Sequence, residues 1–319
     1  MNQEQEYRFK LDSLAAEVTE SEFYADLLEE VTSVYRSLGF KKQDAIDSTL
    51  ERLWLPVALD LAIARKKLNR TWIQGILGGQ GTGKSTLCAI LQVILSYLGC
   101  SAASLSLDDL YLTYDERLTL QQQDRRLDRR GPPGTHDVAL GMEVIEKCLR
   151  EDYTAQISLP RFNKSAENGA GDRFENKEVI NKPDILLFEG WFVGVQPIAK
   201  DLFDNCPDPI VTDDDRKFAI ANNDRLKDYV PLWSALDSLI VLHPEDYRLS
   251  KQWRREAEHN MIAQGKDGMT DEEIDRFVEY FWKALHPELF IKPLTKTADL
   301  VVEIKSDRTL GKIYRPRNL

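Results

Sequence analysis

The 319-residue chain is short of positive charge, of patterned cysteine and of long apolar runs, and each shortage closes off a class of protein. Its 42 Lys and Arg are outnumbered by 53 Asp and Glu, a formal net charge of −11. That balance argues against a nucleic-acid or membrane surface as the main partner, while leaving room for a local basic pocket. The four cysteines, Cys88, Cys100, Cys148 and Cys206, are irregularly spaced and form no C-x-x-C pair. Neither a zinc site nor a disulfide framework is indicated, and buried thiols in a reducing cytosol are expected. No apolar run approaches the roughly eighteen residues of a membrane span. Met1 to Lys10 is polar and acidic, unlike a secretory signal or an Arg-rich transit peptide, so a cytoplasmic protein is expected. Repeats, low-complexity tracts and clear linkers are also missing. The expectation is one compact α/β domain over 71–319, preceded by a helical extension over 1–70.

What is present is concentrated between Trp72 and Leu98. An apolar run, Trp72 to Leu77, leads into Gly78-Gly79-Gln80-Gly81-Thr82-Gly83-Lys84-Ser85, then into Leu87, Ile90, Leu91, Ile94, Leu95 and Leu98 at helical spacing. This strand, glycine loop and helix fits G-x-x-x-x-G-K-[ST], in which backbone N–H groups close around phosphates. Gly79, Gly81, Thr82, Gly83, Lys84, Ser85 and Thr86 are therefore the candidate ATP contacts, with Lys84 on the outer phosphates and the Ser85 hydroxyl on Mg²⁺. A dinucleotide-binding loop would give the lysine and serine no role.

Before this stretch, Phe23, Leu27, Leu28, Val31, Val34, Tyr35 and Leu38 repeat at helical spacing, with Gly39 as a stop. A second series follows at Ile46, Leu50, Leu53, Trp54, Val57 and Leu61, where Pro56 is expected to kink the helix. These residues carry no catalytic constellation. They read as a helical cap packed on the core or, alternatively, as a partner-binding surface.

After it, Ala102 to Leu107 reads as a strand ending in Asp108-Asp109-Leu110-Tyr111. Ligands of an open parallel sheet gather at the carboxyl ends of strands, where these carboxylates fall. Gln121 to Gly134 reads as a loop carrying Arg125, Arg126, Arg129 and Arg130, followed by His136-Asp137 and a helix from Val138 to about Leu149. Gln156 to Leu159 is a short strand before Pro160-Arg161-Phe162-Asn163-Lys164-Ser165, and Gly169 to Arg173 is a loop. Asp184 to Phe188 is a buried strand leading into Glu189, as a metal-holding acid opposite the loop serine requires. The string Asn181-Lys182-Pro183-Asp184 spells the guanine-reading N-K-x-D, but it precedes that strand and lies at the wrong end of the sheet. Asp237 to Leu242 is a further strand, followed by a basic helix, Tyr247 to Ala263. Thr270 with Glu273 forms a capping box for an amphipathic helix through Leu285, and Ala298 to Ile304 with Lys312 to Tyr314 reads as a closing hairpin.

A kinase acting on an alcohol must take a proton from the attacking hydroxyl, and Asp108 is placed to do so. Its alternatives are a helix N-cap or an indirect role at Mg²⁺. Arg254 and Arg255 are candidates to close over ATP from a lid near 246–264, or else form a solvated face paired with Glu256 and Glu258. Arg130, Arg161, Lys164 and Arg173 suggest an anionic acceptor. His136 reads either as a ligand to a substrate hydroxyl or as a turn contact.

The ordered set GGQGTGKST, SLDDLY, PGTHD, LPRFNKS with GAGDR, LLFEGW and WRREAE resembles the D-glycerate 3-kinase family of plants and cyanobacteria. That family belongs to the P-loop kinases that also contain uridine kinase, pantothenate kinase and phosphoribulokinase. The resemblance covers about residues 70–319. It implies a P-loop NTPase-type three-layer fold with a mainly parallel sheet, and MgATP-dependent conversion of D-glycerate to 3-phosphoglycerate in photorespiratory carbon recovery. It further implies Lys84, Asp108 and Arg254 as catalytic residues and Ser85 and Glu189 as serving the metal. Arg254 and Arg255 would meet the nucleotide, and Asp108, Tyr111, Arg130, His136, Arg161, Lys164 and Arg173 the acid. One departure is Asn163, where the pattern P-R-[FY]-D-K-S has an aspartate. The competing expectations are a relative acting on a nucleoside, a pantothenate-like acid or a sugar phosphate, and a non-catalytic ATP-binding regulatory protein.

Overall fold

A computed structural model describes residues 24–39, 44–263, 265 and 268–316, with Ala15, Val18 and Thr19 before them. Phe23 and the Met1 to Lys10 segment lie outside the described residues. The first continuous helix among the described residues is α1 (Tyr24–Ser37), which stops at Gly39 in the left-handed conformation that glycine accepts without a Cβ clash. Helix α2 (Asp44–Thr49) runs into a π turn, Leu50–Trp54, and then α3 (Leu55–Arg65). The irregularity expected at Pro56 falls one turn before it. Pro56 has no N–H to bond the Arg52 carbonyl, and the helix absorbs this by widening, with Leu55 N–H bonding the Leu50 carbonyl.

Strand β1 (Trp72–Gly78) is buried on both faces, as its continuous apolar run requires. It is followed by α4 (Lys84–Tyr97), β2 (Ala102–Ser106), α5 (Tyr114–Gln123) and α6 (Val138–Leu149). Two small ribbons come next: β3 (Ile157–Leu159) pairs with β6 (Glu178–Ile180), and β4 (Phe162–Asn163) pairs with β5 (Asp172–Arg173). Then come β7 (Ile185–Gly190), α7 (Asp213–Arg225), α8 (Val230–Ser234), β8 (Ser238–Pro244), α9 (Leu249–Ala263) and α10 (Asp271–Ala284). The hairpin of β9 (Leu300–Ile304) and β10 (Leu310–Tyr314) closes the chain.

The main sheet has the order β10-β9-β8-β1-β7-β2, parallel throughout except for the β9/β10 pair. Helices cover both faces. On one, α1, α2, α3 and α4 share a core with the sheet through Leu27, Val31, Leu50, Leu55, Leu91 and Leu187. On the other, α6, α7 and α8 pack through Val144, Ile145, Ala219 and Leu232 onto Leu186 and Phe188. Register places Ser106 beside Glu189, and Leu77 beside Gly190, so the carboxyl ends of the central strands finish at one level. The loop expected over Gln121 to Gly134 begins later than its composition suggests. Helix α5 runs to Gln123, held by a capping box between Thr113 and Glu116.

Leu55 is fully buried in the core that the N-terminal helices share with α4 and the sheet. Leu55→Ala should cost about 2–5 kcal/mol in urea or guanidinium unfolding followed by circular dichroism. A loss below about 1 kcal/mol would mean the extension does not share the domain core.

Candidate active site

Three strand ends supply the site. Beyond β1 the glycine loop turns sharply into α4: Gly81 and Gly83 sit at φ of 80° and 90°, and a Cβ on Gly81 would lie 2.8 Å from the Trp253 Cβ. Thr82 Oγ1 donates to the Gly79 carbonyl at 2.9 Å, and Lys84 Nζ donates to the same oxygen at 3.2 Å. At the end of β7, Glu189 is buried to 8% exposure, and its Oε1 accepts the Ser85 hydroxyl at 2.8 Å. A buried carboxylate facing a loop hydroxyl fits Mg²⁺, which keeps several waters and takes only one or two protein oxygens beside the substrate phosphates. Ser85 and Glu189 are the residues that would hold it.

The two acids beyond β2 divide their work. Asp109 closes a capping box with Ser106 around the short 3-10 turn Leu107–Leu110. It also receives Arg161 Nη1 at 2.7 Å, so the capping role open to Asp108 belongs to its neighbour. Asp108 instead points into the cleft, where Oδ1 accepts the Tyr111 hydroxyl at 2.8 Å and Oδ2 meets Lys164 Nζ at 2.6 Å. Burial pushes the Asp108 carboxyl up, but the Lys164 ammonium and the Tyr111 hydroxyl outweigh it and hold the group below its ordinary value. It stays an ionised acceptor at neutral pH.

Asp108, Tyr111, Arg130, Lys164, Lys84, Ser85, Glu189 and Arg254 line one cleft of about 710 Å³. Arg130 is anchored by the Gly169 and Ala170 carbonyls at 2.7 and 2.6 Å and stands over the Phe162 ring. Arg254, on α9, pairs with the buried Glu258 at 2.8 Å.

Four expected contacts are placed elsewhere. Arg255 turns from the cleft to Asp275 on α10 at 2.6 Å, because adjacent residues of a helix face about 100° apart. Arg161 is taken up by Asp109, Glu178 and the Ser104 carbonyl. Arg173 bonds Asp137 and the Tyr111 carbonyl. His136 is 5% exposed and stacks under the Tyr111 ring at 4.6 Å, with Nδ1 2.8 Å from the Tyr229 hydroxyl. Arg161, Arg173 and His136 brace the ring and loops that present Asp108, whereas Arg255 ties α9 to α10. Asn163 has a local task too: its Oδ1 accepts the Ser165 N–H at 3.0 Å, a turn contact an aspartate would make equally.

Sequence reasoning missed Arg117 and Trp191. Arg117 is buried and ties the Leu112, Ala170 and Gly171 carbonyls together, fixing the loop whose Gly169 and Ala170 carbonyls anchor Arg130. Nothing in its polar helix marks it. Trp191 lines the cleft and donates to the Gly131 carbonyl at 3.1 Å, and its place directly after Glu189-Gly190 was the available signal.

A phosphate loop, a buried acid facing the loop serine and a carboxylate across the same cleft define a P-loop kinase, an ATP-dependent phosphotransferase. No profile of a known protein family matches the chain. It is 32% identical over 228 residues to an uncharacterized kinase of Schizosaccharomyces pombe, covering 68% of this chain and 80% of the relative. It is also 32% identical over 247 residues to the chloroplastic D-glycerate 3-kinase of Arabidopsis thaliana, covering 73% of this chain and 52% of the plant protein, about half its length. The solved D-glycerate 3-kinase of Cryptococcus neoformans superposes with a TM-score of 0.71 at 27% identity, over 81% of this chain and 96% of that one. The chain belongs to the D-glycerate 3-kinase family.

His136 gives a pH prediction. Burial pushes its pKa from 6.5 down to about 3, with Asp108 pulling weakly the other way. As pH falls, the unfolded chain therefore takes up this proton first, and stability that is complete above pH 6.5 is lost between there and about pH 3. His136→Asn should lose about 2 kcal/mol less than the parent between pH 7.5 and 5 in denaturant unfolding. Equal losses would place His136 outside the buried, neutral setting described.

Proposed function

We propose that the chain phosphorylates D-glycerate with MgATP to give 3-phosphoglycerate. The observation that carries this reading is the cleft in which the ionised Asp108, held by Lys164 and Tyr111, faces the phosphate loop. The named activity of the Arabidopsis and Cryptococcus relatives supports the choice of acid.

In this reading the C3 hydroxyl of glycerate gives its proton to Asp108 as its oxygen bonds the γ-phosphorus. The bond from that phosphorus to the β,γ-bridging oxygen breaks and ADP leaves. Lys84 and the loop N–H groups hold the phosphates in line. Arg254, from a lid formed by α9, faces the charge that spreads over the transferred group. Ser85 and Glu189 would hold Mg²⁺, which would supply positive charge to offset that of the phosphates. Of the acceptor-side cations expected from the sequence, Lys164 and Arg130 lie within the cleft, and they suit the glycerate carboxylate. Arg161 and Arg173 serve the frame instead. A carboxylate drawn to Lys164 competes with Asp108 for that ammonium. Substrate binding thereby loosens the pair that depresses Asp108, raising its basicity where the proton is to be taken.

Coupled ADP release with MgATP should be strong with D-glycerate and weak with L-glycerate, uridine, pantothenate and ribulose 5-phosphate. Asp108→Asn should lower kcat by about 10²- to 10⁴-fold. Lys164→Ala should raise KM for the acid more than KM for ATP. Strong release with another member of the panel alone would move the protein to that acceptor, and an unchanged kcat in Asp108→Asn would remove the base.

A further inference from the structure

Arg254 is the arginine that α9 turns into the cleft, and its guanidinium is held on two sides. The Phe277 ring of α10 lies 5.3 Å from it, and Glu258, one turn further along α9, stands 2.8 Å from its Nη2. The two partners differ in depth: the Arg254 side chain is 32% exposed and that of Glu258 only 4%. Among the described residues no other cation pairs with this carboxylate.

The second oxygen of Glu258 is used as well. Oε1 accepts the Met269 N–H at 3.1 Å, immediately before Thr270 caps α10. That connection can close on α9 because residue 268 is glycine: a Cβ there would lie 2.6 Å from Ile262 Cγ1 and 3.3 Å from Glu258 Cγ. Glu258 therefore bridges the guanidinium in the cleft and the backbone from which α10 starts.

A tie between helices does not need a buried charge. At partly exposed positions α9 and α10 are already joined by Lys251 to Glu279 and by Arg255 to Asp275, both at 2.6 Å. Taking a carboxylate out of water is costly, and an apolar side chain of similar size would pack two helices as well or better. What an apolar side chain cannot do is hold a guanidinium in one orientation.

We propose that Glu258 is a positioning residue for phosphoryl transfer. It fixes Arg254 before the nucleotide arrives, so that the guanidinium meets the charge on the transferred group without first having to be ordered. The proposal goes beyond the function given above and rests on its placing of Arg254 at that group. Because the same carboxylate also holds the Met269 N–H, it stays in place when a phosphoryl oxygen takes the exposed part of the guanidinium.

A double-mutant cycle on the full chain tests it, with ADP release from MgATP measured with and without D-glycerate. Glu258→Gln keeps the size of the side chain and an oxygen for the Met269 N–H, and loses the charge that pairs with Arg254. Its kcat should fall by about tenfold to a hundredfold, part of the roughly 10³-fold or more that an arginine at the transferred group supplies, while KM for ATP and for glycerate stays within about threefold. In the Arg254→Ala background the same change should lower kcat by less than about twofold, since no guanidinium is left to place. Equal losses in the two backgrounds would make Glu258 a support of the helices alone and overturn the proposal, as would an unchanged kcat in Glu258→Gln. Should Glu258→Gln fail to fold by circular dichroism, Glu258→Met carries the same cycle. A parent whose ADP release is not raised by D-glycerate would overturn the proposed acceptor instead, and the cycle read on hydrolysis of MgATP by water, where Arg254 faces the same transferred group, then decides the proposal.

Discussion

A carboxylate as buried as Glu189 needs a partner inside the protein, and here that partner is the Ser85 hydroxyl at 2.8 Å. The contact joins the end of β7 to the first turn of α4, and its geometry depends on the neighbouring parallel strands β1 and β7 finishing at the same level. Continuous apolar runs in both strands set that register, since a strand buried on both faces cannot slip without exposing its side chains. The glycine loop is then stretched between two fixed ends. Its left-handed residues, its Thr82 contact to Gly79 and the close approach of Trp253 all follow from this constraint.

Around this centre, cations are divided by depth. Arg161 and Arg173 lie within the frame, each with a carboxylate and a backbone carbonyl as partners. Lys164, Arg130 and Arg254 reach the cleft. Arginine suits the first task because its planar fork satisfies several acceptors at once. The aromatic stack of Tyr111 on His136, with Tyr229 behind it, sets the position of the hydroxyl that bonds Asp108. A neutral His136 is part of that arrangement, since an imidazolium there would be a buried charge.

Much of the fold was legible because its signals are local. The loop and its flanking strand and helix, the strand ends at Asp108 and Glu189, the capping box at Thr270 and the closing hairpin can each be read within a few residues. Helices α5 and α7 could not be read this way. Among the residues α7 buries are Asn222 and Asn223, and α5 buries Arg117, so neither shows an apolar period. In the site, residue type did not show which cations face the cleft. Arg161 and Arg173 find partners in Asp109, Glu178 and Asp137, which are distant in the chain and brought near only by the two small ribbons and the start of α6. Arg254 and Arg255 differ only in helical phase, and which phase faces the loop is decided by the packing of α9 on α10.

The carboxylate and the phosphate loop meet across one cleft, where we propose that a small hydroxy acid is phosphorylated. Phosphorus NMR of the full chain with MgATP and D-glycerate tests this most directly. One new phosphomonoester, 3-phosphoglycerate, is expected to grow in step with ADP. ADP appearing only with free phosphate, or with the ester on the other hydroxyl, would contradict it.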